Sequence, residues 1–249
     1  MYSGRACHIR QARFIAVLRG GIIVIKILFE GDSITDGNRY KEEEKRWDKN
    51  HQIGHSWAYI VTASLGYRYP GAFSFVNRAY SGFTVAELNE RWEEDVVREA
   101  PDMLFLLVGT NDAGRNAKSV CDFACADYER GYRRLLERTR AARPDAGLVL
   151  LEPFHALDDE NRTRCLDRNR EIVRALADEF RAVFIPLQAE FDRVVASSPP
   201  GYWIWDGIHP TEAGHGLIAA QVLARVEPLL KEASCRGAGT PDPAGVLTI

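Results

Sequence analysis

The chain has 249 residues, 46% of them hydrophobic and 27% charged, with a formal net charge of −3. That length suits one large α/β domain with a sizeable core. Opposite charges are interspersed, with no basic stripe and no aromatic residues set among clustered Arg and Lys, which argues against nucleic acid as a partner.

The five cysteines, Cys7, Cys121, Cys125, Cys165 and Cys235, are odd in number and scattered. They read as idle or buried thiols in a reducing cytosol rather than as a disulfide framework. Residues 12–29 are hydrophobic, but Arg13, Arg19 and Lys26 interrupt them, so no membrane helix is expected. The apolar run leads directly into Gly31-Asp32-Ser33. Cutting it as a signal peptide would remove the first core strand. The expected location is therefore cytoplasmic. Residues 1–21 read as an extension outside the fold, with the natural start nearer Val24. Intact-mass measurement on protein from its native host checks this, and a native chain beginning at Met1 overturns it.

The first strand is expected over Ile22–Phe29, ending in Glu30-Gly31-Asp32-Ser33-Ile34-Thr35-Asp36-Gly37. Ser33 then sits at the C-terminal edge of a sheet, either as an ordinary N-cap or as a reactive hydroxyl. Residues 38–55 are polar, with the charged run Lys41 to Arg46, then Trp47, His51 and His55. They read as a long loop whose histidines are solvated or line a pocket rim. A metal site is not expected there, because Gly54 weakens a helix and no third ligand is near.

Ser56–Leu65 reads as a helix and Phe73–Asn77 as the second strand. Gly82 falls in the turn before a helix marked by the Thr84/Glu87 capping box and the stripe Val85, Leu88, Trp92 and Val96. Met103–Val108 is a strand buried on both faces, ending in Gly109-Thr110-Asn111-Asp112. Ser119 and Asp122 open a helix through Tyr128, Tyr132, Leu135 and Leu136 that stops before Pro144. Strand Leu148–Leu151, helix Asp159–Phe180, strand Val183–Pro186 and helix Gln188–Ala196 follow. Residues 199–211 form a loop containing Trp203, Trp205, Asp206 and His209. Thr211 caps a last helix to about Ala233, and Ser234–Ile249 reads as a loose tail.

Five β-α units in succession imply an α/β fold: a three-layer α/β/α sandwich on a parallel five-stranded sheet, one domain over residues 22–233. Phosphate-binding glycine patterns are absent, so no nucleotide cofactor is indicated.

Parallel topology brings Ser33, Gly82, Asn111 and the Asp206/His209 pair to one sheet edge. A serine hydroxyl needs a base, which His209 can be. Asp206, three residues earlier on a tight turn, can fix its tautomer. The N–H groups of Ser33 and Gly82 and the side-chain amide of Asn111 are candidate oxyanion donors. Each residue singly also has a bland reading as a cap, a turn or a structural histidine. Asp32, beside the nucleophile, is expected to hold its turn, and Asp112 to support Asn111.

Gly31-Asp32-Ser33, Gly82, Gly109-Thr110-Asn111-Asp112 and Asp206-Gly207-Ile208-His209-Pro210 resemble, in order, the four blocks of the SGNH (GDSL-type) hydrolases. The resemblance implies a flavodoxin-like sheet, ester hydrolysis without metal or cofactor, and a Ser33-His209-Asp206 triad. Asn77-Arg78, the Arg91 to Asp95 run, Pro153-Phe154 and Trp205-Asp206 look like the intracellular acetylxylan and acetyl-xylooligosaccharide esterases of that family. Two departures from that subgroup are Phe83, often a polar position, and Ala113-Gly114, where an aliphatic residue and Trp often stand.

Trp57, Phe83, Phe154, Trp203 and Trp205 are candidate substrate contacts, with Tyr202 and Trp47 as further members of an aromatic platform. Aromatics in that place suit sugar rings, and equally suit a lid, the core or an oligomer interface. No long apolar groove is visible for a fatty acyl chain. The expected substrate is a small acyl ester, acetyl on an oligosaccharide. The alternatives are a lysophospholipase or broad short-chain esterase or thioesterase, and a carbohydrate-binding module on an inactive scaffold.

Overall fold

The computed structural model describes residues 24–41, 50–116 and 121–237. The extension 1–21, Ile22, most of the charged run with Trp47, Ser119 of the proposed cap, and residues 238–249 lie outside the described residues.

Five strands form one sheet in the order β2-β1-β3-β4-β5, with every pair parallel. They are β1 (Ile25–Gly31), β2 (Phe73–Asn77), β3 (Met103–Leu107), β4 (Gly147–Leu151) and β5 (Val183–Ile185). This is the flavodoxin-like order. The helices are α1 (Ser33–Asp36), α2 (Asn50–Ile53), α3 (Trp57–Arg68), α4 (Val85–Trp92), α5 (Thr110–Asn116), α6 (Cys121–Ala142), α7 (Glu160–Glu179), α8 (Gln188–Val195) and α9 (Glu212–Gly237).

Alternation along the strands sorts the core into two layers. Ile27, Phe29, Phe105 and Leu151 face α3, α8 and α9, where Trp57, Val61, Leu65, Phe191, Ile218 and Val222 pack. Leu28, Leu104, Leu106 and Leu150 face the other way, onto Val85, Leu88 and Trp92 of α4, Tyr132 and Leu135 of α6, and Val173 and Leu176 of α7. Burial on both faces is why β3 and β4 read as continuous apolar runs.

Several boundaries differ from expectation. Within the described residues β1 begins at Ile25 and reaches Gly31, because pairing with β3 continues to Leu107. α3 runs to Arg68, past Gly66, whose missing side chain faces open space. The helix after Gly82 changes to a π turn over Glu93–Val97. Thr110–Asn116, assigned to no element from the sequence, is the short helix α5. Its Thr-Asn-Asp-Ala-Gly composition carries no periodic signal, and it packs against α7. α9 continues to Gly237, four residues beyond the expected end. Among the described residues no helix is long and apolar enough to cross a membrane.

Gly31 closes β1 at φ +148°, and a Cβ there would lie 2.0 Å from the Leu107 carbonyl oxygen. Gly31→Ala is therefore expected to destabilise the fold by at least about 2 kcal/mol, through backbone strain and overpacking together. Urea unfolding should show a lower midpoint with an unchanged slope. A wild-type midpoint would contradict the close approach.

Candidate active site

The exit of β1 makes the first half of the site. Asp32 caps α1: its Oδ1 accepts from Ile34 N at 3.0 Å, and its carbonyl accepts from Thr35 N at 3.0 Å and Asp36 N at 2.8 Å. This one-turn helix fixes Ser33 at the corner. Its Oγ lies 2.8 Å from His209 Nε2, across 176 residues of chain.

The second half is the turn before α9. Asp206 Oδ1 accepts from Ile208 N at 2.9 Å and His209 N at 2.7 Å. Its Oδ2 lies 2.6 Å from His209 Nδ1. One carboxylate thus shapes the turn and orients the ring. Two further bonds seat it: Trp205 N donates to His209 O at 3.0 Å, and Ala156 N donates to Gly207 O at 2.8 Å. Downstream, His215 Nδ1 accepts from Trp57 N at 3.2 Å and docks α9 on α3. Burial pushes His215 down to about 4, consistent with a neutral ring that accepts. With the His209 proton on Nδ1 facing Asp206, Nε2 is free to accept from Ser33. The arrangement can take a proton from the serine hydroxyl and steady the resulting imidazolium.

Charges around this chain are tuned by burial. Asp206 is mostly solvated; what burial it has opposes ionisation, but the N–H groups of His209 and Ile208 and the His209 ring outweigh that and hold it below the usual carboxylate range. Asp32 is buried and pushed up to about 7, with the Ile34 N–H and the His209 charge pulling the other way. Asp112 is also pushed up to about 7 by burial. Its Oδ1 accepts from Val85 N at 3.1 Å, while Oδ2 is buried with no hydrogen-bond partner among the described residues.

Gly82 and Asn111 lie at one cleft. Gly82 adopts φ +82° in the turn after β2, a conformation that side chains disfavour. Asn111, in the first turn of α5, donates one of its two amide hydrogens to Phe83 O at 3.0 Å. Both line an open cleft of about 730 Å³ that also touches Gly114, Arg115 and Arg162. Arg115 Nη2 donates to Gly82 O at 3.1 Å, and Arg162 Nη2 to Thr110 O at 3.2 Å.

The aromatic candidates divide. Trp57 and Phe154 are corrected: both are 0% exposed and belong to the core. Trp57 meets Phe29 edge-on at 5.3 Å and bonds Thr35 Oγ1 through Nε1 at 3.3 Å. Phe154 stacks on Phe191 at 4.3 Å. The spacing Trp57, Val61, Leu65 is an apolar helical stripe, a signal that the platform reading passed over. Phe83 is partly buried and stacked on Tyr80 at 5.0 Å. Trp203 is partly buried, with Nε1 donating to Ser198 Oγ. Trp205 is 65% exposed and lies over the His209 ring at 5.7 Å.

His51 and His55 face each other with ring centroids 5.7 Å apart. No group of three or more His, Cys, Asp or Glu among the described residues is placed to hold a metal. Sequence reasoning missed Arg115 and Arg162, which reach the cleft only through the packing of α5 and α7. It also missed Glu30, a carboxyl at the end of an apolar run, fully buried and pushed up to about 8. The charge inside that run was the available signal.

Comparison with known proteins gives the family. Residues 29–217 match the GDSL-like Lipase/Acylhydrolase family. A curated acetylxylan esterase of Geobacillus stearothermophilus is 32% identical over 211 residues, spanning 81% of this chain and 93% of that one. A crystal structure of a catalytic mutant of an acetylxylan esterase from that organism superposes with TM-score 0.72 at 30% identity, covering 83% of this chain and 96% of the other. An alpha/beta hydrolase enzyme from the metagenome of Lake Arreo gives TM-score 0.73 at 30% identity, covering 84% and 99%. The catalytic mutants of the acetylxylan esterase replace a serine, an aspartate and a histidine, the last two three positions apart in its chain.

Asp112 offers a pH test. A carboxyl raised to about 7 contributes stability while protonated; that contribution is complete below the ordinary value of 3.8 and is lost as pH rises through about 7. Asp112→Asn keeps an acceptor for Val85 and cannot ionise. The melting temperature of the variant, relative to wild type, should rise between about pH 4 and about pH 8. A difference independent of pH would show that Asp112 stays ionised throughout.

Proposed function

The chain belongs to the GDSL-like lipase/acylhydrolase family and is a carboxylic ester hydrolase; we propose that Ser33 is its nucleophile, His209 its general base and Asp206 the orienter of that base. The observation that carries this reading is the continuous Ser33-His209-Asp206 hydrogen-bonded chain, at 2.8 and 2.6 Å. Asp206 and His209 also have the three-residue spacing of the pair replaced in the catalytic mutants of the acetylxylan esterase.

In this mechanism Ser33 Oγ attacks the ester carbonyl as His209 Nε2 takes its proton. The negative charge develops on the carbonyl oxygen, where the N–H groups of Ser33 and Gly82 and the Asn111 amide serve as donors. Collapse returns the proton from His209 to the departing alcohol and leaves an acyl-serine. Water, deprotonated by the same histidine, then attacks the acyl carbonyl; the bond to Ser33 Oγ breaks as His209 returns the proton to that oxygen, and the carboxylic acid leaves.

For the substrate we infer an acetyl or similarly small acyl ester of a sugar. Trp205 supports this: an exposed indole beside the catalytic histidine offers an apolar face to a sugar ring. Relatives described as acetylxylan esterases point the same way.

Hydrolysis of p-nitrophenyl acetate, octanoate and palmitate tests both parts. The acetate is expected to be the best substrate, with Ser33→Ala reduced to background. Equal rates for wild type and Ser33→Ala would sink the nucleophile assignment, and a preference for palmitate would favour the lysophospholipase reading instead. Asn111→Ala is expected to lower kcat by about 10²–10³-fold. Acetate release from acetylated xylo-oligosaccharides should weaken through KM in Trp205→Ala, whereas an unchanged KM would remove the indole from the substrate site.

A further inference from the structure

The nucleophile and the Gly82 turn leave different strands, β1 and β2, and a serine esterase needs them in fixed register. Beyond the β1–β2 ladder the backbone joins them through Arg78 N to Phe29 O at 2.9 Å and Tyr80 N to Gly31 O at 3.1 Å, and Asn77 Nδ2 reaches Thr35 O at 2.9 Å. Asp36 adds a tie nearer to Gly82. It ends the nucleophile's own helical turn, three residues after Ser33, and is 1% exposed. Its Oδ2 accepts from Ser81 N at 3.2 Å and from Ser81 Oγ at 2.6 Å. Ser81 is itself exposed and directly precedes Gly82.

The surroundings hold the carboxylate in that pose. Lys41 Nζ lies 3.0 Å from both Asp36 oxygens. Arg39, buried, approaches Asp36 at 3.7 Å, donates to Ala79 O at 3.0 Å and lies over the Tyr80 ring at 4.9 Å. Residues 79, 80 and 81 are thus each gripped by side chains from the segment just past Ser33. Lys41 and Arg39 compensate the buried Asp36 carboxylate, which leaves Oδ2 set to hold Ser81. That hold is intelligible as a device for placing the next residue.

We propose that Asp36 and Ser81 are positioning residues that set the Gly82 N–H relative to Ser33 Oγ, so that the oxyanion donor is in place before charge develops. This rests on the esterase reading given above. Donors preset for the oxyanion act in the transition state and little in the ground state. Loosening them should therefore lower kcat and spare KM.

The test is Ser81→Ala and Ser81→Thr, assayed with p-nitrophenyl acetate beside wild type, with melting curves and inhibition by a small alkylboronic acid that mimics the tetrahedral state. Ser81→Ala is expected to lose about tenfold in kcat and to weaken boronate inhibition by a similar factor, with KM within about twofold and an unchanged melting temperature. Ser81→Thr, which keeps the hydroxyl, should recover most of the rate. Asp36→Ala should lose more, and serves as a second variant wherever its melting curve shows it folded. Wild-type kcat in Ser81→Ala, or a loss that appears in KM, overturns the positioning role alone. Absence of hydrolysis by wild type overturns the esterase reading and this proposal with it.

Discussion

Parallel strands discharge on one edge, and the site depends on that constraint. β1 is paired in parallel with both β2 and β3, so the exits that carry Ser33, Gly82 and Asn111 lie on one edge of the sheet. The fourth contribution, Asp206 with His209, comes from the far end of the chain and reaches Ser33 because α9 docks beside α3. A sheet with one strand reversed would leave the same residues on opposite edges. The aliphatic runs of β1, β3 and β4, buried on both faces, hold this edge firm.

Beneath the edge lies an unusual density of carboxyl groups. Glu30, Asp32, Asp36 and Asp112 are all buried. Desolvation dominates for Glu30, Asp32 and Asp112 and pushes them toward neutrality or above. Burying such groups costs stability unless donors meet them. Each is met at least in part: Gly31 N for Glu30, Ile34 N for Asp32, Ser81 for Asp36 and Val85 N for Asp112. Every one of those donors belongs to a turn of the site or the start of the helix behind it. Stability given up in the carboxyls is exchanged for turns that cannot drift, as expected where a fold keeps preorganised donors.

The aromatic residues are placed differently. Trp57 and Phe154 belong to the core, whereas Trp205 stands in solvent on the same turn as Asp206 and His209. The Asp206 hydrogen bonds that shape that turn therefore also place an exposed indole beside the His209 ring. Opposite, Gly114 sits against the Arg162 guanidinium, where a Cβ would come within 3.0 Å of its Cζ. The departure Ala113-Gly114 thus goes with an arginine-bordered cleft beside Gly82 and Asn111.

Much of this was legible in the sequence because it is written in short-range patterns. The alternation in β2, the apolar runs of β3 and β4, and the capping box at Thr84 and Glu87 are local, and they name the elements without help from distant residues. The four motif blocks likewise name Ser33, Gly82, Asn111, Asp206 and His209, since one parallel edge has room for them all. Which aromatic residues are core and which are exposed was not local. The stripe Trp57, Val61, Leu65 was a local hint for Trp57, but Phe154 and Trp205 lie in segments without periodicity, and only tertiary packing separates them. Asp36 to Ser81, Arg162 to Thr110 and Trp57 to His215 join segments whose separations carry no motif. Sequence by itself determined the succession of strands and helices and the residue types at each exit, through periodicity and turn residues. Tertiary structure alone decided the burial of the polar groups, and with it the raised carboxyls and the ties between turns, because desolvation and contact exist only once the layers have closed.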